Sequence, residues 1–135
     1  MIDYYPDKYL TQELLQEVLD DIGFKTVFKI EDDLPDGLEV VFSGVSLYVS
    51  EYAEGEISIH FLAYEIGTEE DVPFIKALII IKPNLDLSKE YKYHQHHPFS
   101  SKQKVLEQLF DYFTVVKKHM NECINGDLGW VSKLE

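Results

Sequence analysis

With 135 residues and 45% hydrophobic side chains, the chain has the size and composition of one globular domain spanning 1–135, able to bury a core without metal or disulfide staples. The formal net charge is −13 and every basic residue is lysine, so the planar guanidinium fork that grips phosphates and guanine edges is missing and direct nucleic-acid binding is not expected. The charge is also uneven: residues 1–71 carry 18 Asp/Glu and 3 Lys, whereas residues 72–135 carry 7 Asp/Glu and 9 Lys. A dense negative field repels nucleic acid and anionic membranes and steers basic partners toward it. Nine Tyr and eight Phe are many for this length, and Tyr serves both sheets and interfaces. The start, MIDYYPDKYL, has neither a basic region nor an apolar run, so a signal peptide is not expected. No run of about 18 apolar residues occurs, and a cytoplasmic protein is the simplest expectation.

Leu10, Leu14, Leu15, Val18, Leu19 and Ile22 recur at helical spacing between Gln, Glu and Asp, which predicts an amphipathic helix over about 8–22. Thr11 or Asp7 is a candidate N-cap and Gly23 a C-terminal stop. Asp20 and Asp21 sit at the negative end of that helix's dipole, a placement that does not serve stability.

Four strands are expected next. The first is Lys25–Ile30, followed by an acidic, turn-rich loop through Asp32, Asp33, Pro35, Asp36 and Gly37. The second is Leu38–Phe42, which turns at Ser43-Gly44. The third, Val45–Tyr52, alternates Val45, Leu47 and Val49 with Ser46, Tyr48, Ser50 and Tyr52. After Ala53-Glu54-Gly55 the fourth, Glu56–Glu65, alternates Ile57, Ile59, Phe61 and Ala63 with Ser58, His60, Leu62 and Tyr64. This is the pattern of an antiparallel meander with one buried and one polar face. Residues 68–71 form a second acidic loop. The β-branched run Ala77–Ile81 reads as a fifth, central strand closed by Pro83. Residues 91–96 alternate in a way that suits a short strand. Ser100 and Gln103 resemble a capping box, and apolar spacing from Val105 to Met120 predicts a helix over about 100–124 stopped by Asn125-Gly126. Trp130, the only tryptophan, is expected to pack back onto the domain. The predicted fold class is therefore α+β: an antiparallel β-meander sheet with an N-terminal and a long C-terminal helix packed on one face.

The chemistry-bearing motifs are few. His94, His96 and His97 form the only cluster of candidate metal ligands, and His94 and His96 would share one face of a strand. Asp86, Glu90 and Asp111 are candidate third ligands, but none has a diagnostic spacing; a solvated loop is the plainer reading. The carboxylate pairs Asp20/Asp21, Asp32/Asp33 and Glu69/Glu70 lie in loops or at a helix end, where solvated acidic surface is the expected role. Asp32–Gly37 lacks the ligand alternation of a calcium loop. Neither a nucleophile elbow nor a phosphate-binding glycine motif is present. Cys123 is the single cysteine, so no internal disulfide forms; a half-buried, inert thiol is expected, with His119 at i−4 making only a weak catalytic pair. No catalytic residue, metal or cofactor is expected.

Asp32, Asp33, Asp36, Glu51, Glu54, Glu56, Glu65, Glu69, Glu70 and Asp71, with Tyr48, Tyr52 and Tyr64 nearby, give the chain a character that resembles bacterial immunity proteins, the cognate inhibitors of contact-dependent and other polymorphic toxins. That resemblance implies a non-enzymatic acidic domain that binds and neutralises a basic toxin domain, in many cases a nuclease, by occluding its active surface. The implied partner-binding residues are Asp32, Asp33, Asp36, Tyr48, Glu51, Tyr52, Glu54, Glu56, Tyr64, Glu69, Glu70 and Asp71. Residues 10–65 and 100–120 are also similar to small acidic type III secretion chaperones, which implies a homodimer as an alternative. A metal-dependent enzyme built on His94 and His96 is the second alternative. Monomer and homodimer both remain open at this point.

Overall fold

The computed structural model describes residues 9–24, 29–34, 37–51, 56–86 and 102–134, with the side chains of 32–34 outside the description. Helix α1 (Gln12–Ile22) starts where the Thr11 side chain accepts from the Leu14 N–H at 3.1 Å. It ends at Gly23, whose φ of 77° is the left-handed conformation a C-terminal glycine supplies. Strands β1 (Lys29–Leu34), β2 (Gly37–Val41), β3 (Ser46–Glu51) and β4 (Ile57–Phe61) follow, then the single turn α2 (Ala63–Ile66), the two-residue β5 (Val72–Pro73) and α3 (Phe74–Ile81). The chain closes with α4 (Lys102–His119), α5 (Asn121–Ile124) and a 3-10 turn (Gly129–Lys133).

The five strands form one antiparallel sheet in the order β1-β2-β3-β4-β5. The expected α+β meander and its two terminal helices are thus present. Along β2–β4 the period-two pattern sends Leu38, Val40, Leu47, Val49, Ile57, Ile59 and Phe61 into the core. Leu15 and Leu19 of α1 and Val105, Leu109 and Phe113 of α4 belong to the same core, and the two helices pack on each other. Phe24 extends it, with ring centroids 5.3 Å from Phe42 and 6.3 Å, edge-on, from Phe113. Trp130 folds back as expected, 4.9 Å from Phe61.

A helix glutamine reaches the strand backbone near each side of the sheet. At the β1 edge Gln12 donates its side-chain amide to the Ile30 carbonyl at 3.2 Å. Near the β4 edge, which β5 covers only at His60 and Phe61, the Gln108 side-chain oxygen accepts from the Ile57 N–H at 3.0 Å. Exposed strand edges invite foreign strands, and each contact occupies one backbone group there.

Four sequence expectations need correction. The first strand runs further than expected: Glu31–Leu34 belong to β1 rather than to a loop, while residues 25–28 of the expected strand lie outside the described residues. Glu31 pairs with Glu39 and Leu34 with Gly37, so one extra residue at Asp32-Asp33 is taken up as a bulge, and a bulge accommodates polar residues that a flat strand would not. The fourth strand stops at Phe61, and residues 63–66 turn into α2. The run Ala77–Ile81 is helical, not a central strand: Phe74, Ala77 and Leu78 are buried at i, i+3 and i+4 while Ile79 is exposed. Packing one face outweighs the strand preference of β-branched side chains. The long C-terminal helix is interrupted at Met120 (φ −125°, ψ 19°) before α5 resumes. The strand expected over 91–96, the cap at Ser100 and the histidines 94–97 lie outside the described residues.

Candidate functional site

The end of β4 presents the most exposed acidic and aromatic surface among the expected partner-binding residues. Leu62 is buried and anchors α2, which turns Tyr64, two residues on, outward with 77% of its surface accessible. The turn is held from two sides. Glu65 accepts from the Ser46 N–H at 2.9 Å and from the Ser46 hydroxyl at 3.1 Å. Asp71 accepts from the Ala63 N–H at 2.7 Å, which ties the acidic loop back to the start of α2. Within the loop the Thr68 hydroxyl donates to the Glu70 carbonyl at 2.7 Å. Glu69, Glu70 and Asp71 are all exposed. They rim a cleft of about 630 Å³ that Val72, Pro73, Val131 and Leu134 line with apolar surface, and among the described residues Lys76 is the one basic residue on its wall. Three acids over apolar groups suit a lysine or arginine side chain, whose aliphatic stem lies on the apolar surface while its charge meets the rim.

The remaining expected residues do not join this cluster equally. Tyr48 lies on the outer sheet face in a cross-strand row with Glu39, His60 and Pro73. It is only half-buried, and its ring covers Gly37, where a Cβ would come within 2.8 Å of it. Glu39 in the same row is buried, so this face exposes less acid than the alternation suggests. Glu56 is exposed but sits before the far end of β4, roughly 17 Å of strand away. It pairs with the buried Lys104 at 2.9 Å. Glu51 requires correction as a surface residue. It is 3% exposed, and one carboxylate oxygen accepts from the Tyr9 N–H at 2.8 Å and the Leu10 N–H at 2.7 Å. It therefore fixes the entry to α1. Asp32 and Asp33 lie on β1, their side chains outside the description; Asp36, Tyr52 and Glu54 are outside the described residues altogether.

Among the described residues, few groups with catalytic or metal-binding chemistry come together. Ser58 Oγ and His60 Nδ1 are 2.9 Å apart on the outer face. Burial lowers the His60 pKa, with the nearby Asp71 carboxylate working in the opposite direction, so the ring is neutral at pH 7. Cys123 is buried, accepts a hydrogen bond from Trp130 Nε1 at 3.2 Å and is pushed up to about 11, chiefly by burial, which leaves it a protonated thiol. Asp111, weighed as a third metal ligand, is buried in α4. Among the described residues no group of three His, Cys, Asp or Glu is placed to hold a metal ion. No helix among the described residues is long and apolar enough to cross a membrane.

Sequence reading missed the buried polar set on α4. Lys104 and Gln108 are one helical turn apart, and the Gln108 amide donates to the Lys104 carbonyl at 3.1 Å. Their i, i+4 spacing inside an apolar stripe was the available signal. The placement of Asp20 and Asp21 also gains a partner: Lys117 of α4 donates to the Ile22 carbonyl at 2.8 Å and brings a positive charge to the same helix end. Compared with family models, curated proteins and solved structures, the chain matches none.

Proposed function

We propose that this chain is a non-enzymatic, acidic protein-binding domain that neutralises a basic partner by occluding its active surface, in the manner of an immunity protein acting on a toxin domain. The observation that carries this reading is the juxtaposition at the end of β4: an outward Tyr64 beside the exposed Glu69, Glu70 and Asp71, on a loop pinned to α2 by Asp71. Such a surface joins the two parts of tight inhibition. The acids accelerate encounter with a basic protein, and a fixed aromatic anchor slows its departure. Because the turn is already held by the Glu65 and Asp71 contacts, little ordering is left to do on binding.

The test is capture at low salt from a lysate of the source cell, followed by salt elution and measurement of mass and activity. The reading requires a basic protein that elutes as a 1:1 complex and whose activity is lost in that complex. A captured protein that keeps its activity, or a retained set without fixed stoichiometry, contradicts it.

A further inference from the structure

Among the described residues of this strongly acidic chain, lysines gather in a cleft of about 620 Å³ between the C-terminal end of α3, the α4–α5 junction and the 3-10 turn. Lys82, Lys118, Lys133 and His119 line it from three separate segments. Three of the eight lysines among the described residues thus share one cavity. Two carboxylates, Glu122 and Asp127, also line it, and Asp127 is turned onto the Gly129 N–H at 3.0 Å. Neither Lys82 nor Lys133 forms an ion pair with a described residue, although both are exposed.

Helix dipoles account for part of this arrangement. Lys82 is the C-cap of α3 and Lys118 lies in the last turn of α4, where cations are favoured. Lys133 belongs to neither helix. It arrives because the 3-10 turn packs against α3, and it adds a third like charge to the same cavity. Like charges brought together are unfavourable, and the two carboxylates of the cavity offset only part of the charge of its three lysines. The rest of the wall is mixed: Ile80, Ile81, Met120 and Trp130 contribute apolar surface and Asn121 a side-chain amide. The volume falls within the range of small-molecule sites, which combine apolar walls with a few convergent polar groups.

We propose that this cleft binds a small organic anion, one acidic group on a flat apolar body. Lys82 and Lys133 hold the acidic group, and the body lies along Ile81 and Trp130. The site shares α3 and the 3-10 turn with the cleft behind the acidic loop but none of its lining residues, and it does not depend on the inhibitor reading.

Trp130 is the only tryptophan, so it reports on its own cleft. The probe is 8-anilinonaphthalene-1-sulfonate, titrated into the intact chain while sensitised emission is followed on tryptophan excitation. The expected result is saturable 1:1 binding with energy transfer from Trp130. The exposed double variant Lys82→Glu/Lys133→Glu should weaken it about tenfold or more, and Lys76→Glu, outside the cleft, should leave it unchanged. Thermal melts check that each variant is folded; if the double variant is not, Lys133→Ala alone is read, with an expected loss of roughly threefold. Absence of saturable binding to the wild type, or equal binding by the wild type and the folded lysine variants, overturns the proposal.

Discussion

Gln108 on α4 accepts a hydrogen bond from the backbone N–H of Ile57 at 3.0 Å, so that a side chain stands where a neighbouring strand would otherwise pair with β4. Gln108 is buried and Gln12, which plays the corresponding role at β1, is exposed. The two should therefore differ in cost. Gln108→Leu keeps the volume but strands the Ile57 N–H away from water, which costs about 1–3 kcal/mol. Gln12→Ala leaves a carbonyl that water can reach, so its loss stays at about 0.5 kcal/mol. Urea unfolding of the two variants measures the difference.

The β2–β3 hairpin is docked against the end of α5. The Gly44 N–H donates to the Ile124 carbonyl at 3.0 Å, and the Ser43 hydroxyl bonds the Asn125 side chain at 3.0 Å. A Cβ on Gly44 would stand 2.2 Å from the Gly126 nitrogen. Since the clashing atoms are backbone, they yield only if the hairpin lifts away. Gly44→Ala should cost about 1–3 kcal/mol, read from the denaturation midpoint. Gly67→Ala is the contrast: it meets no neighbouring atom within 4 Å and carries only the strain of its φ of 77°.

Glu51 separates a structural acid from a binding one. Its carboxylate satisfies two backbone donors ahead of α1. Glu51→Ala should lower stability by about 2 kcal/mol or more, with Glu51→Gln losing less because an acceptor oxygen remains. Neither change should alter the association rate with a basic partner. Unfolding curves and binding kinetics on the same samples check both halves.

Stability should fall in alkali. Burial raises Cys123 from 9.0 to about 11 and Tyr112 from 10.0 to about 12, with Glu56 and Asp111 adding to the latter. A folded-state pKa above the unfolded value means that the folded chain keeps protons the unfolded chain has released. The contribution is whole below pH 9 and is lost as pH rises through the folded values. Melting temperatures should therefore decline from pH 9 upward, and Cys123→Ala should flatten the decline between pH 9 and 11. A flat profile across that window in the wild type would contradict the burial of both groups.

Much of the fold was legible because periodicity and caps agree in it. Thr11 and Gly23 bracket α1 as their chemistry dictates, and Val45, Leu47 and Val49 alternate into the core. Ala77–Ile81 misled because a short apolar run has no clear period; only the exposure of Ile79 against the burial of Leu78 identifies the helix. For the site, Tyr64, Glu69, Glu70 and Asp71 were visible as an acidic loop beside a tyrosine. Glu51 was misread although it shares the strand parity of the inward Val45, Leu47 and Val49; its partners, the N–H groups of Tyr9 and Leu10, lie about 40 residues away and leave no local signal. The lysine-lined cleft was illegible for a similar reason: its residues come together only when the 3-10 turn packs on α3.

The central claim rests on the surface at the end of β4, and its most direct test is the binding kinetics of the captured basic partner with the wild type, Tyr64→Ala and Glu69→Lys/Glu70→Lys across a salt series. The account predicts that Tyr64→Ala mainly raises the dissociation rate, by roughly tenfold or more for a central aromatic anchor. It predicts that the charge-reversed variant mainly lowers the association rate and flattens its salt dependence. Wild-type rates in both variants would contradict it and move the binding surface elsewhere on the chain.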